Sequence, residues 1–439
     1  MKVSLPYVQN RRYLTGIDWM IGALDDMSHR ATGGGNSFQI VLELKGSFDD
    51  DHFQREAESF VRHFPALGGH PARDWTGAPY WKMPPPVLSV PLVLEFFWIE
   101  EPALSAALEQ SANTRFSESR IHLAMRVFHI TETRHVLAVQ FDHRLFDATG
   151  AEAFLDLFHR WLTGEDCRTR IDAISLKEPA HLRDWMQKFE AGKQLIRMVR
   201  KFAESKLCVL SRPAPLAGRR IKFAVIEFDA AESRAIAARA SREAGFLMFL
   251  PYTLAGSLEA LAPAFARHGD VGDDFVVSVS VDLRTPDTAP ARLFFNHLSF
   301  LFFQIPKALV GDRAKVLSLL RSQMYEQVKS GFPKALYESS MLMRLAPLPL
   351  LSRGMLRPLR GEFASFGFTC VGKSGYPFDR FGAAELVNLI HMPLVPVPPG
   401  LGFFINQFGS RMNAVLTYMD GMLDDEDIRE FRETIRRLL

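Results

Sequence analysis

One order of elements is written twice in this chain, and it constrains the fold more than any single motif does. Residues 37–46 alternate apolar and polar side chains and end at Gly46, the pattern of a strand with one wet face. Residues 48–64 then open on acidic side chains, repeat apolar groups at helical spacing and stop before Pro65, which predicts a helix. The order returns after residue 220: a strand at 221–228, a helix at 230–244, an apolar helix at 251–262 and a strand at 275–283. Near the end come strands at 402–407 and 413–418, the turn Asp420-Gly421 and an amphipathic helix at 424–438. Strands with one apolar face and helices with one apolar stripe must cover each other, so the expectation is α+β: two lobes, each a mixed β-sheet flanked by helices.

Length agrees with two lobes, because 439 residues exceed the roughly 250–300 at which a single core stops growing. The boundaries read as an N-terminal lobe at 1–177, a basic helical connector at 178–219 and a C-terminal lobe at 220–439. The connector is rich in Lys and Arg (Arg183, Lys188, Lys193, Arg197, Arg200 and Lys201 among them), and Ser211-Arg212-Pro213-Ala214-Pro215 marks its end. A formal charge of +2 gives no global field for nucleic acid, so cationic function must be local. Cys167, Cys208 and Cys370 are far apart with no C-x-x-C spacing, which argues against a zinc site and suits a reducing compartment. The N-terminal Met1–Pro6 lacks the apolar core of a secretory signal, and no apolar run reaches the roughly 18–20 residues of a spanning helix. The address expected is cytoplasmic.

Chemistry concentrates at one loop. Residues 123–129 and 135–141 read as a hairpin around the charged turn Thr131–Arg134, and the second strand runs into Asp142-His143-Arg144-Leu145-Phe146-Asp147 before helical spacing resumes at 150–162. An imidazole four residues before a carboxylate, on a loop after a buried strand, can serve as a general base. A core histidine satisfied by backbone fits the same four-residue spacing. Rival signatures are missing from the sequence: there is no G-x-S-x-G elbow, Walker loop, H-E-x-x-H or dinucleotide fingerprint. The Thr32-Gly33-Gly34-Gly35-Asn36 run reads as a turn between a helix and a strand.

At several separated points, in the right order, the chain resembles the CoA-dependent acyltransferase superfamily of condensation domains, wax ester synthases, plant BAHD enzymes and chloramphenicol acetyltransferase. Asp142-His143-Arg144-Leu145-Phe146-Asp147-Ala148 is similar to its His-His-x-x-x-Asp-Gly motif, with Asp142 in place of the first histidine and Ala148 in place of the glycine, although Gly150 follows closely. Val279–Pro286 resembles the strand whose closing arginine, here Arg284, pairs with the motif aspartate. Phe295-Asn296-His297-Leu298-Ser299, running on to Pro306, is similar to the Gly-Asn-x-x-Ser pattern, with Phe295 in place of the glycine. Phe368-Thr369-Cys370-Val371-Gly372 stands where relatives carry a Ser-Asn-x-Gly strand end.

The resemblance implies two chloramphenicol-acetyltransferase-like lobes with a central solvent tunnel between them. It implies transfer of an acyl group, fatty or otherwise apolar, from a CoA or carrier-protein thioester to an alcohol or amine. His143 would be the base, Asp147 would shape the loop with Arg284 in support, and Asn296, Ser299, Thr369 and Gly150 would meet substrate or oxyanion. Ser299 and Asn296 can equally satisfy backbone groups, and Cys370 reads as a buried thiol with no cation beside it. No tightly bound cofactor or metal is implied; acyl-CoA or acyl-phosphopantetheine is the co-substrate. The rival expectation is a catalytically silent relative that binds or scaffolds. The basic connector and the segment Met341–Leu351, followed by Arg353, Arg357 and Arg360, allow a peripheral contact with an anionic membrane, a buried or dimer-covered helix, or cations for CoA phosphates or an acidic carrier.

Overall fold

A computed structural model describes residues 10–85, 90–176, 185–269, 272–285, 291–356 and 361–439. Met1–Pro6, the 177/178 boundary, Arg183, Pro286, Arg357 and Arg360 lie outside the described residues.

Two six-stranded mixed sheets organise the chain, each over its own apolar core and flanked by helices. The first sheet runs Arg380–Phe381, Ala384–Pro393, Ser37–Lys45, Arg134–Asp142, Leu123–Thr131, Val93–Trp98. It is antiparallel except where Val93–Trp98 lies parallel to Leu123–Thr131. The second runs Leu298–Pro306, Asp274–Asp282, Phe366–Lys373, Leu401–Phe408, Arg411–Met419, Ile221–Phe228, with Phe366–Lys373 parallel to both of its neighbours. A three-stranded sheet of Arg11–Tyr13, Pro79–Lys82 and His70–Arg73 completes the strands among the described residues. The architecture is therefore α+β with two sheet-rich lobes.

The strand Ala384–Pro393 crosses between the sequence halves to lie beside Ser37–Lys45. Asparagine side chains then link it to the other sheet. Asn388 exchanges hydrogen bonds with Asn413 at 3.0 and 3.1 Å, and Asn406 and Asn413 both donate to the Leu389 carbonyl. Amides are acceptors and donors at once, so they join two sheets without leaving a buried polar atom unpaired at each step.

Local expectations meet tertiary packing in two helices. The helix expected at 48–64 spans only Asp50–Val61, capped by the Asp49 carboxylate accepting from the His52 N–H, and a 3₁₀ turn at Pro65–Gly68 takes over. The helix expected to end at Ala262 continues from Phe249 through Pro263 to His268. A proline inside a helix costs about 3 kcal/mol. Here Tyr252, Leu258, Leu261, Ala264 and Phe265 are all buried against the second core, at about 1.5–3 kcal/mol for each large side chain, and packing prevails.

Candidate active site

The strand Arg134–Asp142 delivers the histidine loop, and the helix Ala148–Leu162 closes it. Pairing with Ser37–Lys45 runs to the last residue, Ser37 opposite Asp142, and the His143 N–H donates to the Asn36 carbonyl at 3.2 Å. The His143 ring is half-buried and edge-on to Phe38, with ring centroids 5.3 Å apart. Its Nδ1 is buried and has no hydrogen-bond partner among the described residues.

Three consecutive residues just before the strand Leu298–Pro306 clamp this loop. The Phe295 N–H donates to the Leu145 carbonyl at 2.6 Å, Asn296 Nδ2 donates to the His143 carbonyl at 2.9 Å, and the His297 N–H donates to Asp147 Oδ2 at 2.9 Å. Because that strand belongs to the second sheet, the clamp joins the lobes at the histidine. Phe295 holds φ 71°, a left-handed backbone in which a bulky residue is strained by about 1–3 kcal/mol and a glycine is not. Its fully buried ring, under the Arg12 guanidinium at 3.6 Å and beside Trp81, offsets that cost.

Asp147 is spent on structure. Oδ1 accepts from Arg284 Nη2 at 2.7 Å and caps the helix through the Gly150 N–H at 2.9 Å, while Oδ2 takes the His297 amide. The ion pair uses one guanidinium nitrogen, with side chains 3% and 5% exposed; Arg284 Nε donates to the Arg292 carbonyl and Nη1 to Asp282. Asp147 makes no hydrogen bond to His143 among the described residues.

Asp142 has a charge environment of its own. Its buried carboxylate accepts from His122 Nδ1 at 2.7 Å and from the amide and guanidinium of Arg144. Burial opposes ionisation, yet Arg144 and His122 hold the Asp142 carboxyl far below the usual carboxylate range. His122 Nε2 meets the Gly69 carbonyl at 2.8 Å, so both ring nitrogens face oxygen acceptors. Position 142, just before His143, thus holds a carboxylate whose histidine partner comes from just before the neighbouring strand, Leu123–Thr131.

The other residues named from sequence divide by environment. Ala148 simply opens the helix, and the close backbone approach falls two residues later: a Cβ on Gly150 would lie 2.2 Å from the Leu293 carbonyl oxygen. Gly150 therefore packs against the Leu293 backbone, and its N–H donates to Asp147. Gly150→Ala is expected to destabilise the protein by about 1–3 kcal/mol, read as a lower midpoint in denaturant, and an unchanged midpoint would contradict the close approach. Ser299 is fully buried and donates to the Pro333 carbonyl at 2.7 Å. Thr369 and Ser280 share a hydrogen bond at 3.0 Å, both half-buried on adjacent strands. Burial lifts the Cys370 thiol to about 11.

Asn296 is fully buried, and its Oδ1 has no partner among the described residues. Its backbone N–H donates to Asp18 Oδ1 at 2.9 Å, and Asp18 pairs with Arg12 at 3.1 Å, with side chains 1% and 2% exposed. Burial raises the Asp18 pKa, but Arg12 and the Asn296 and Thr15 amides together hold it below normal. Asp18 escaped the sequence reading, although Thr15-x-x-Asp18 is a capping-box signal and both halves of that box form. Glu152 and His391 escaped as well; their buried pair at 2.7 Å ties the helix of the loop to the crossing strand.

His297 contributes to the pH dependence of stability, as do His70, His135 and His159, whose pKa values burial also lowers. Burial, and then the nearby Arg284 cation, press the His297 pKa down to about 4, and Nε2 faces the Phe294 carbonyl at 3.1 Å. Unfolded, the ring titrates near 6.5, so between about 6.5 and 4 the unfolded chain binds more protons than the folded one and stability falls as pH falls. His297→Gln is expected to flatten the pH dependence of the unfolding free energy in that window. A profile as steep as wild type would remove His297 as a source.

Two cavities, of about 130 and 160 Å³, open on the Arg144 side of the loop and share Asp25, Arg115 and Arg144 as walls. Burial and the Asp142 charge raise the Asp25 pKa, with Arg144 opposing.

By sequence the chain matches no family model and no curated protein. Its structure matches many solved ones. The trichothecene 15-O-acetyltransferase TRI3 of Fusarium sporotrichioides superposes with a TM-score of 0.72 at 12% identity, over 98% of this chain and 94% of that one. The first condensation domain of the calcium-dependent antibiotic synthetase gives 0.64 at 15%, over 98% and 96%. The X-domain from teicoplanin biosynthesis gives 0.57 at 17%, over 99% and 96%. The chain has the fold shared by these condensation domains and this O-acetyltransferase.

Proposed function

We propose that the protein transfers an acyl group from a thioester to an alcohol or amine, with His143 as general base. The observation that carries this reading is that the clamp at residues 295–297 and the Asn36 carbonyl fix the backbone of His143 from both lobes, while its ring stays half-buried and Nδ1 stays unpaired. With Nδ1 enclosed, Nε2 is the atom that takes the acceptor's proton as its oxygen or nitrogen attacks the thioester carbonyl. The C–S bond then breaks, and the proton passes to the leaving thiolate, so the products are ester or amide and free thiol. The acceptor is the nucleophile, and no acyl-enzyme forms.

Asp147 and Arg284 hold the loop, and Asp18 holds Asn296 beneath it. Asn296, fully buried, supports the loop through the His143 carbonyl. The donor is an acyl-CoA or an acyl-phosphopantetheine, and the acyl group is apolar in keeping with the Phe- and Met-rich composition. The solved structures with this fold include an O-acetyltransferase and condensation domains, which supports thioester chemistry in general.

The test is thiol release from a panel of acyl-CoAs and acyl-carrier proteins offered with alcohols and amines. Release that depends on acceptor supports transfer. Silence across the panel returns the protein to a binding or scaffolding role.

A further inference from the structure

The helix Trp185–Glu204 leaves a large apolar face in solvent. Trp185 is 42% exposed, Met186 73%, Phe189 53% and Ile196 52%. Its inner face is anchored: Ala191 and Phe202 are buried, and the buried Lys188 pairs with Glu338 at 3.5 Å on the helix Phe332–Met343. The exposed face is thus held in one orientation by the body of the protein.

At about 100° per residue, Trp185, Phe189 and Ile196 fall within about 40° of one another, and Lys193, Arg197 and Arg200 fill roughly the next 60°, with Met186 among them. Lys193, Arg197, Arg200 and Lys201 are all exposed, against the acids Glu190, which pairs with Lys193, and Glu204. An apolar stripe of aromatic and aliphatic side chains bordered by arginine and lysine matches the layers of an anionic bilayer surface, where hydrocarbon lies just beneath phosphate. Beyond the anchoring helix, Leu345 is also 53% exposed. Among the described residues no helix is long and apolar enough to cross a membrane, so the contact is a surface one.

We infer that this face seats the protein on an anionic lipid surface, with Trp185, Phe189 and Ile196 entering the headgroup boundary and Lys193, Arg197 and Arg200 meeting phosphates. A protein partner fits less well. The apolar stripe is bordered along one side by cations running the length of the helix, a geometry that a planar anionic surface satisfies without shape complementarity.

The experiment is flotation of the full chain with phosphatidylcholine vesicles and with vesicles containing about one-third phosphatidylglycerol. The expected result is flotation with the anionic vesicles, weakened by salt, and little with the neutral ones. Phe189→Glu with Ile196→Glu is expected to lower the partition coefficient at least tenfold. Arg197→Gln and Arg200→Gln, which leave the apolar stripe intact, should each lower it about fivefold. Unchanged circular dichroism separates these losses from unfolding. No flotation, or flotation that every variant retains, overturns the inference. So does a concentration-dependent dimer in sedimentation that Phe189→Glu disperses, which would give the face to a second copy. Binding of an acidic carrier protein through these residues, without binding to vesicles, overturns it too.

Discussion

His143→Ala is expected to slow thiol release by about 10²- to 10⁴-fold, or on the order of 3–5 kcal/mol of barrier, with the fold intact. The ring is half-buried and makes no hydrogen bond among the described residues, so its removal costs mainly the contact with Phe38. What is lost is proton transfer in the transition state, so kcat and kcat/KM should fall together while KM changes little. Single-turnover rates for the two proteins with the best donor and acceptor of the panel would measure it. Equal rates would end the role of His143 as base.

Arg284→Ala should be among the most destabilising single changes in the molecule. It leaves the Asp147 carboxylate buried with only the Gly150 and His297 amides to satisfy it, and breaking a buried pair from one side typically costs about 3–5 kcal/mol. The same change loosens the loop that carries His143, so activity should fall before the protein unfolds. Adding Asp147→Asn removes the stranded charge and should recover part of the loss in a denaturant titration, because coupled partners are not additive. A single variant as stable as wild type would show that the pair does not hold the loop.

Strand and helix positions were legible wherever periodicity was undisturbed. The hairpin Leu123–Thr131 and Arg134–Asp142 and the terminal helix Asp425–Leu438 lie within a few residues of their expected bounds, since alternation and helical spacing are local properties of side-chain direction. The helix expected at 251–262 runs from Phe249 to His268, because the burial of its apolar face outweighs the local penalty of Pro263. The crossing of Ala384–Pro393 into the first sheet could not be read, because strand partners are chosen by registry between distant segments.

The four-residue spacing from His143 to Asp147, with Arg284 and Asn296 in order behind it, was in the sequence alone, as was the two-lobed α+β expectation. Which of those side chains keep free chemistry was decided by tertiary structure. Ser299 and Gly150 are consumed by the Pro333 carbonyl, by Asp147 and by the Leu293 backbone, while Asn296 keeps an unpaired oxygen. Asp142 is held as a buried anion by Arg144, its near neighbour in sequence, and by His122, which only folding brings alongside; Asp18 came to bear on the site only when the helix Gly16–Thr32 packed beneath Asn296. A sequence lists donors and acceptors; only the packed chain determines which are already paired.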